Sequence, residues 1–335
     1  MDAGPTMATD DIPSLAVRTQ RLAAWAWGLA LFLSVGWMAM SPDDPRGPVS
    51  LLTRHNALMM WVQVTLLAVV CSVVATILAG RHLPEAGLFA TALGFSAVAL
   101  RGDTAQYFLV NCAADGVACE RWLAVRFAGE AVAWFVALGA AIPAANAVLH
   151  WCGWSVLPPL AAAEMPPEIQ VPRRTGAQGI LARAAQNQAI RHLVIVTGVL
   201  LMGTALFSSG SSRRAVLHGQ SCFVLFAAAF LATWAGCRLA PVRGPMVSLA
   251  AIPLAAVTGF LGAALLSGRF ATPPNLPSSC FLRILPLHFV AVGVAAVVAA
   301  HWWMRGEDVP PPYEVGDNNR SFNPAPIPPS GDKRR

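Results

Sequence analysis

Four charged residues in the first half of the chain have the types and spacing of a buried polar site. Arg101 and Asp103 follow an apolar run that begins at Ala86, and Arg126 and Glu130 lie about one helical turn apart in the next apolar run. If both runs cross a membrane, the four side chains share a depth where a lone charge is costly and is normally paired. The sequence therefore predicts cross-helix pairs, Arg101 with Glu130 and Asp103 with Arg126.

This quartet (Arg101, Asp103, Arg126 and Glu130) has more than one interpretation. It forms a polar site for a solute, a proton or a lipid headgroup, or it forms an ion-pair clamp that fixes two helices. In a third interpretation an outer loop begins at Arg101, and the preceding helix is then only about 22 Å long. The corresponding helices in the second half of the chain carry no such quartet, which favours a structural role.

The histidines suggest a haem or metal site only if two of them share one helix face. All 7 histidines lie at the ends of apolar runs or in the adjacent turns. His288 and His301 are 13 positions apart, which places them about 220° apart around a helix. Interfacial histidines at helix ends are therefore favoured, and we predict no metal ligand, no cofactor and no catalytic residue.

Cys112 and Cys119 bracket a short segment that contains Asp115 and Gly116. If this segment faces the oxidising side of the membrane, the sulfurs can meet through a turn. The spacing predicts a Cys112–Cys119 disulfide, and the alternative is two free thiols. The remaining cysteines do not have the spacing of a metal motif.

The elements that would position these residues are long apolar stretches. The chain is 56% hydrophobic and 12% charged, against roughly 25% charged residues in soluble domains. A membrane-spanning helix needs about 20 apolar residues. We predict an all-α polytopic membrane helix bundle of eight spans, at 22–40, 57–79, 86–110, 123–149, 193–209, 216–237, 244–267 and 284–303.

The basic residues in the connections predict the orientation of the chain. With a cytoplasmic N-terminus, 14 basic residues fall on the inner side and 9 on the outer side, as positively charged inner loops require. Both termini are then cytoplasmic, and the protein lies in the inner membrane. The basic residues flank apolar spans instead of forming a stripe with aromatic residues, so we expect no nucleic-acid partner.

The long proline-rich connection after the fourth span divides the chain into two halves of four spans each. The likeness of Ala79–Gly80–Arg81 to Ala235–Gly236–Cys237–Arg238 indicates an internal repeat, although apolar sequences also resemble one another by composition. The connection ends in a helix-forming segment that either lies on the membrane surface or extends the fifth span. The predicted divisions are an N-terminal tail (1–21), a first half (22–150), a linker (151–192), a second half (193–304) and a proline-rich tail (305–335).

These patterns predict function only coarsely. The leading hypothesis is a non-enzymatic scaffold or assembly subunit of an envelope complex, with the lipid bilayer and either membrane-protein partners or a second copy as its contacts. A transporter of a small solute or an ion, built from two parallel four-helix repeats, is the alternative. The third hypothesis is a membrane-embedded enzyme that modifies lipid through the Arg101, Asp103, Arg126 and Glu130 quartet.

Overall fold

The computed structural model describes residues 15–80, 83–112, 117–154, 177–209, 218–242, 244–266 and 279–308. In these ranges the regular secondary structure is helical, with no β-strand. The helices are α1 (Leu15–Leu31), α2 (Trp37–Met40), α3 (Ala57–Ala79), α4 (Ala86–Ala99), α5 (Gln106–Cys112), α6 (Val117–Gly139), α7 (Ala141–Trp151), α8 (Ala177–Ser209), α9 (His218–Leu239), α10 (Met246–Leu266) and α11 (Pro286–Asp308).

Several of these helices join into longer rods. A π-helical segment, Phe32–Gly36, links α1 to α2, and a single turn residue, Ala140, separates α6 from α7. The described residues contain 7 helices that are long and apolar enough to cross a membrane. The protein is therefore a multi-pass membrane protein with a helical bundle fold.

The prediction of one continuous helix for the third span is wrong. The sequence predicted a span over 86–110, but α4 ends at Ala99 and the chain leaves the helix through residues 100–105 before α5 begins. Arg101, Gly102 and Asp103 follow directly, and two charged groups flanking a glycine favour a loop over a buried helix. The count of eight long spans is corrected to seven long spans and one short, deeply buried helix.

Although α4 has only 14 residues, it connects the two ends of the bundle. We call the end where α1 begins and α11 finishes the proximal end, and the opposite end the distal end. At the proximal end, Glu85 precedes α4 and accepts a hydrogen bond from the Trp302 indole of α11 at 3.4 Å. At the distal end, Arg101 stacks over the Trp37 ring of α2 at 4.4 Å from its centroid.

The core is built around α11, whose spanning segment is 78% buried. Its residues from Leu287 to Ala300 are apolar except His288, so α11 can pack against neighbours on all sides. It contacts α9 and α10 of the second half as well as α4 and α6 of the first half. The halves thus share one core, and the predicted internal repeat stays a prediction.

The fifth span is longer than predicted. The sequence left open whether the segment from 177 lies on the membrane surface or extends the helix, and α8 runs without a break from Ala177 to Ser209. Residues 155–176 of the predicted linker lie outside the described residues, as do 1–14 and 309–335 of the predicted tails. Both tails are shorter than predicted, because α1 begins at Leu15 and α11 ends at Asp308.

Candidate functional site

Glu130 is the buried carboxylate at the distal end of the bundle. It lies on α6 and is 4% exposed. Its Oε1 atom accepts hydrogen bonds from the Leu51 backbone N–H at 2.7 Å and the Trp134 indole N–H at 2.9 Å. Its Oε2 atom accepts one from the Ser50 hydroxyl at 2.8 Å. These three donors replace the water molecules that the carboxylate loses on burial.

Two of these donors come from the connection between α2 and α3, residues 41–56, which we call the distal loop. Residues 47–50 of this loop are buried, and a 3-10 turn, Leu51–Thr53, follows them. The Ser50 hydroxyl accepts from the Leu52 N–H at 3.1 Å and so caps this turn while donating to Glu130. Glu130 therefore docks the distal loop onto α6.

The other members of the predicted quartet lie elsewhere. Arg101 is exposed, and its guanidinium donates to the Leu33 carbonyl at 3.2 Å. Asp103 is exposed, accepts from the Thr104 N–H at 2.6 Å, and donates its own N–H to the Gly47 carbonyl at 3.3 Å.

The predicted pairs Arg101–Glu130 and Asp103–Arg126 are therefore not formed among these described residues. Arg126 is exposed on α6. The physical reason is the early end of α4, which carries Arg101 and Asp103 to the distal surface while Glu130 stays beneath the distal loop.

Asp43 organises the exposed side of the distal loop. Its carboxylate accepts from the His55 N–H at 3.0 Å, contacts the His55 ring at 3.0 Å, and forms a salt bridge with Arg54 at 2.9 Å. These hydrogen bonds, led by the His55 N–H, lower the pKa of Asp43 to about 2. The arrangement closes the loop on itself.

A second buried polar cluster lies toward the proximal end, where α8, α10 and α11 meet. The His192 Nε2 atom is 2.7 Å from the Ser248 hydroxyl, and that hydroxyl is 3.3 Å from the His301 Nε2 atom. His192 and Ser248 are completely buried, and His301 is 7% exposed. The third contact of the cluster joins His192 Nδ1 to the Ala240 carbonyl at 2.8 Å.

These contacts fix the direction of the hydrogen bonds in the His192–Ser248–His301 cluster. The Ala240 carbonyl can only accept, so His192 Nδ1 carries the hydrogen, and in the neutral ring Nε2 is an acceptor. The Ser248 hydroxyl therefore donates to His192 and accepts from His301 Nε2–H.

Gly236 on α9 leaves room for the His192 ring, because a Cβ atom there would lie 2.9 Å from its Cε1 atom. A glycine at that position is thus part of what holds the imidazole in place.

Sequence reasoning did not find the His192–Ser248–His301 cluster. It tested histidine pairs on single helices, whereas these two histidines converge from α8 and α11 around a serine of α10. The sequence did contain a signal for it. Ser248 lies near the inner end of its predicted span, and His192 and His301 lie near the inner ends of two others, so the three residues fall at a similar depth. The described part of the chain holds no group of three or more His, Cys, Asp or Glu side chains placed to bind a metal ion.

The predicted disulfide falls partly outside the described residues. Cys119 is disulfide-bonded. The side chain of Cys112 lies outside the described part of the chain, so the Cys112–Cys119 pairing stays a prediction. The free thiols are Cys71, Cys152, Cys222, Cys237 and Cys280.

Comparison with known proteins gave no relative. No family model matches the chain, and neither the curated proteins nor the solved structures contain a significant match. Any functional argument therefore depends on the residues of this chain.

Proposed function

We propose that the protein is a structural component of an envelope complex, a scaffold or assembly subunit in the inner membrane. The main support is the way Glu130 is used. Intramembrane carboxylates commonly mark ion or proton pathways. Here Ser50 and Leu51 of the distal loop donate two hydrogen bonds to the carboxylate and dock the loop onto α6, and Trp134 of the same helix donates a third. Glu130 thus fastens one part of the protein to another.

Other buried polar groups act in the same way. The Trp61 indole of α3 donates to the Ala133 carbonyl of α6 at 2.8 Å, and the Ser72 hydroxyl donates to the Ala141 carbonyl of α7 at 2.7 Å. Each bond joins two elements that are distant in the sequence. Such bonds stabilise one fixed arrangement of helices, which suits a protein that presents a constant surface to partners.

A scaffold requires a partner on its exposed faces, and photo-crosslinking in cells tests for one. A photoreactive residue replaces Phe223 on α9 or Val194 on α8, which are 73% and 64% exposed. The buried Leu225 on α9 is the matched control position. We expect one discrete crosslinked product from an exposed position, containing either another membrane protein or a second copy of this chain. If every exposed helix face gives lipid adducts alone, the scaffold proposal is wrong.

Both termini face the cytoplasm in this proposal. The support is the distribution of basic residues, 14 against 9, between the two sides. Reporter fusions after Arg305 and within residues 160–175 are expected to be active in the cytoplasm. Periplasmic activity at either place would reverse the orientation.

A transporter is the second candidate because one observation favours it. Residues 47–50 of the distal loop are non-helical and buried beside Glu130. Non-helical backbone at membrane depth occurs where it is buried in protein or lines a water-filled cavity. A transporter would have to exchange the partners of Glu130 during its cycle, so its signature is a flux that disappears when Glu130 cannot ionise.

A further inference from the structure

The His192–Ser248–His301 cluster has the parts of a nucleophilic serine site. Ser248 Oγ lies 2.7 Å from His192 Nε2, within reach of a general base. His192 Nδ1 lies 2.8 Å from the Ala240 carbonyl, which fixes the tautomer and orientation of the ring. A nucleophile, a base and a group that orients the base are the three parts that activate serine in unrelated folds.

We infer that Ser248 is the nucleophile of an acyl-transfer site, with His192 as its general base and a lipid acyl ester as its substrate. The lipid class follows from the position, because all three side chains belong to helices that span the membrane. This activity goes beyond the structural role proposed above and uses none of the residues of the Arg101, Asp103, Arg126 and Glu130 quartet.

The geometry argues against a proton relay through the same residues. A relay needs a group at each end that can both take up and release a proton. The chain of bonds from His301 through Ser248 to His192 ends at the Ala240 carbonyl, which accepts a hydrogen bond but has no proton to pass on. The lone pair of His192 is directed at the Ser248 hydroxyl instead.

The first turn of α10 offers hydrogen-bond donors that can stabilise the negative charge that develops on the substrate carbonyl oxygen. Ser248 is the third residue of α10 (Met246–Leu266). The first backbone N–H groups of a helix have no partner within it, and the positive end of the helix dipole lies there. The bond from Leu249 N to the Pro245 carbonyl, 2.8 Å, begins the helical pattern one residue later. An oxyanion formed beside Ser248 would meet these N–H groups.

The reaction balances with water or an alcohol as the second substrate. Ser248 Oγ bonds to the ester carbonyl carbon while its proton moves to His192 Nε2. The carbon–oxygen bond to the leaving alcohol then breaks, and His192 returns the proton to that alcohol. Water or a second alcohol then attacks the carbonyl carbon of the acyl–Ser248 ester and loses its proton to His192 Nε2. The bond from that carbon to Ser248 Oγ breaks, His192 passes the proton to Ser248 Oγ, and the acid or the new ester is released.

In this structure the site is closed. Ser248 and His192 are completely buried. The turn at Ala240 and Pro241, directly after α9, is fastened to α8, because the Gln188 side chain donates to the Pro241 carbonyl at 2.8 Å. Moving this turn would open the side of the cluster that carries Ala240. Loss of the Gln188 bond should therefore increase access to Ser248.

Labelling with a long-chain alkyl fluorophosphonate tests the inference on the full-length protein in phospholipid vesicles. The probe bonds to an activated serine oxygen through phosphorus and releases fluoride. We expect peptide mapping to find the label on Ser248, faster labelling in Gln188→Ala, and none in Ser248→Ala. His192→Gln should label about 100-fold more slowly or less, because general-base catalysis is lost.

Ser72→Ala is the matched control, since Ser72 is equally buried and donates to a carbonyl instead of an imidazole. Its labelling rate should equal that of the wild type. Absence of label on Ser248 in both the wild type and Gln188→Ala would overturn the inference, as would equal labelling in His192→Gln. The cluster would then be a tie between helices.

Discussion

At the scale of single residues, the buried Glu130 carboxylate is held by neutral hydrogen-bond donors and not by an arginine. Glu130 accepts from a hydroxyl, a backbone N–H and an indole, and Arg101 donates to a carbonyl at the surface. These partners could not be predicted from charge, because backbone and indole donors leave no signature in the sequence. Substitutions that remove or keep the hydrogen bonds of Glu130 to these neutral groups therefore test its structural role.

Removing the Glu130 carboxylate should destabilise the protein more than neutralising it. Glu130→Ala leaves three donors without their acceptor, at about 1–3 kcal/mol for each buried group. Glu130→Gln keeps one carbonyl oxygen for Leu51 and Trp134, and its amide can donate to Ser50. We expect a clearly lower thermal unfolding temperature for Glu130→Ala and a small change for Glu130→Gln in detergent. Equal unfolding temperatures would show that Glu130 does not dock the distal loop.

The distal loop should lose stability in acid through Asp43. Its folded pKa, about 2, lies below the ordinary value of about 3.9, so its ionised form stabilises the loop. That contribution is complete above about pH 4 and is lost as the pH falls through 2. We expect limited proteolysis of residues 41–56 to accelerate between pH 4 and pH 2 in the wild type. The Asp43→Asn loop should be cleaved faster than the wild-type loop at pH 4, at a rate that does not change with pH. If cleavage of Asp43→Asn accelerated between pH 4 and pH 2 as in the wild type, Asp43 would be excluded as the cause.

At the scale of elements, the short helix α4 depends on close contact with α3. Gly87 packs against Ser72 and Thr76, and the Thr91 hydroxyl bonds back to the Gly87 carbonyl at 2.7 Å. Small residues let membrane helices approach closely, which compensates for the missing length of α4. The non-helical residues after Ala99 are joined to the distal loop by the hydrogen bond from the Asp103 N–H to the Gly47 carbonyl.

Gly87→Ala should separate α3 and α4. The added methyl carbon would lie 2.6 Å from Ser72 Oγ and 2.7 Å from the Ser72 carbonyl oxygen, and closer still to Thr76 Oγ1. Overpacking of this kind costs about 1–3 kcal/mol, so the thermal unfolding temperature should fall. Gly198→Ala on α8 is the matched control, because nothing lies within 4 Å of its new carbon. It should leave stability unchanged or raise it by up to about 1 kcal/mol through helix propensity. Similar losses in both variants would contradict the close α3–α4 contact.

The sequence predicted the helical class and most span positions, but less of the site. Apolar length is a local property, so α3, Ala57–Ala79, matches the predicted span over 57–79. The end of α4 was ambiguous, because the apolar residues that resume at Phe108 suggested a continuous helix. Glu130 was singled out correctly as buried, yet its partners Ser50 and Leu51 lie about eighty residues away. Such long-range contacts leave no periodic pattern.

At the scale of the whole molecule, the helices form one bundle whose core is shared by both halves of the chain. Phe127 of α6 stacks edge-on against Phe260 of α10 at 5.6 Å, and Phe260 in turn contacts Phe289 of α11 at 6.2 Å. These rings join α6 of the first half to α10 and α11 of the second half. A continuous aromatic core of this kind holds the helices in one arrangement, which is what a structural subunit requires.

Proton flux into proteoliposomes tests most directly whether Glu130 is a fastening group or part of a transport path. The wild type and Glu130→Gln are reconstituted at equal density around a pH-sensitive dye, and a potassium gradient with valinomycin sets the membrane potential. Glu130→Gln is suited to the test because it retains hydrogen bonds to the distal loop but cannot ionise. The structural account predicts that both variants acidify no faster than empty vesicles. A wild-type flux that Glu130→Gln abolishes, at unchanged thermal stability, would contradict it.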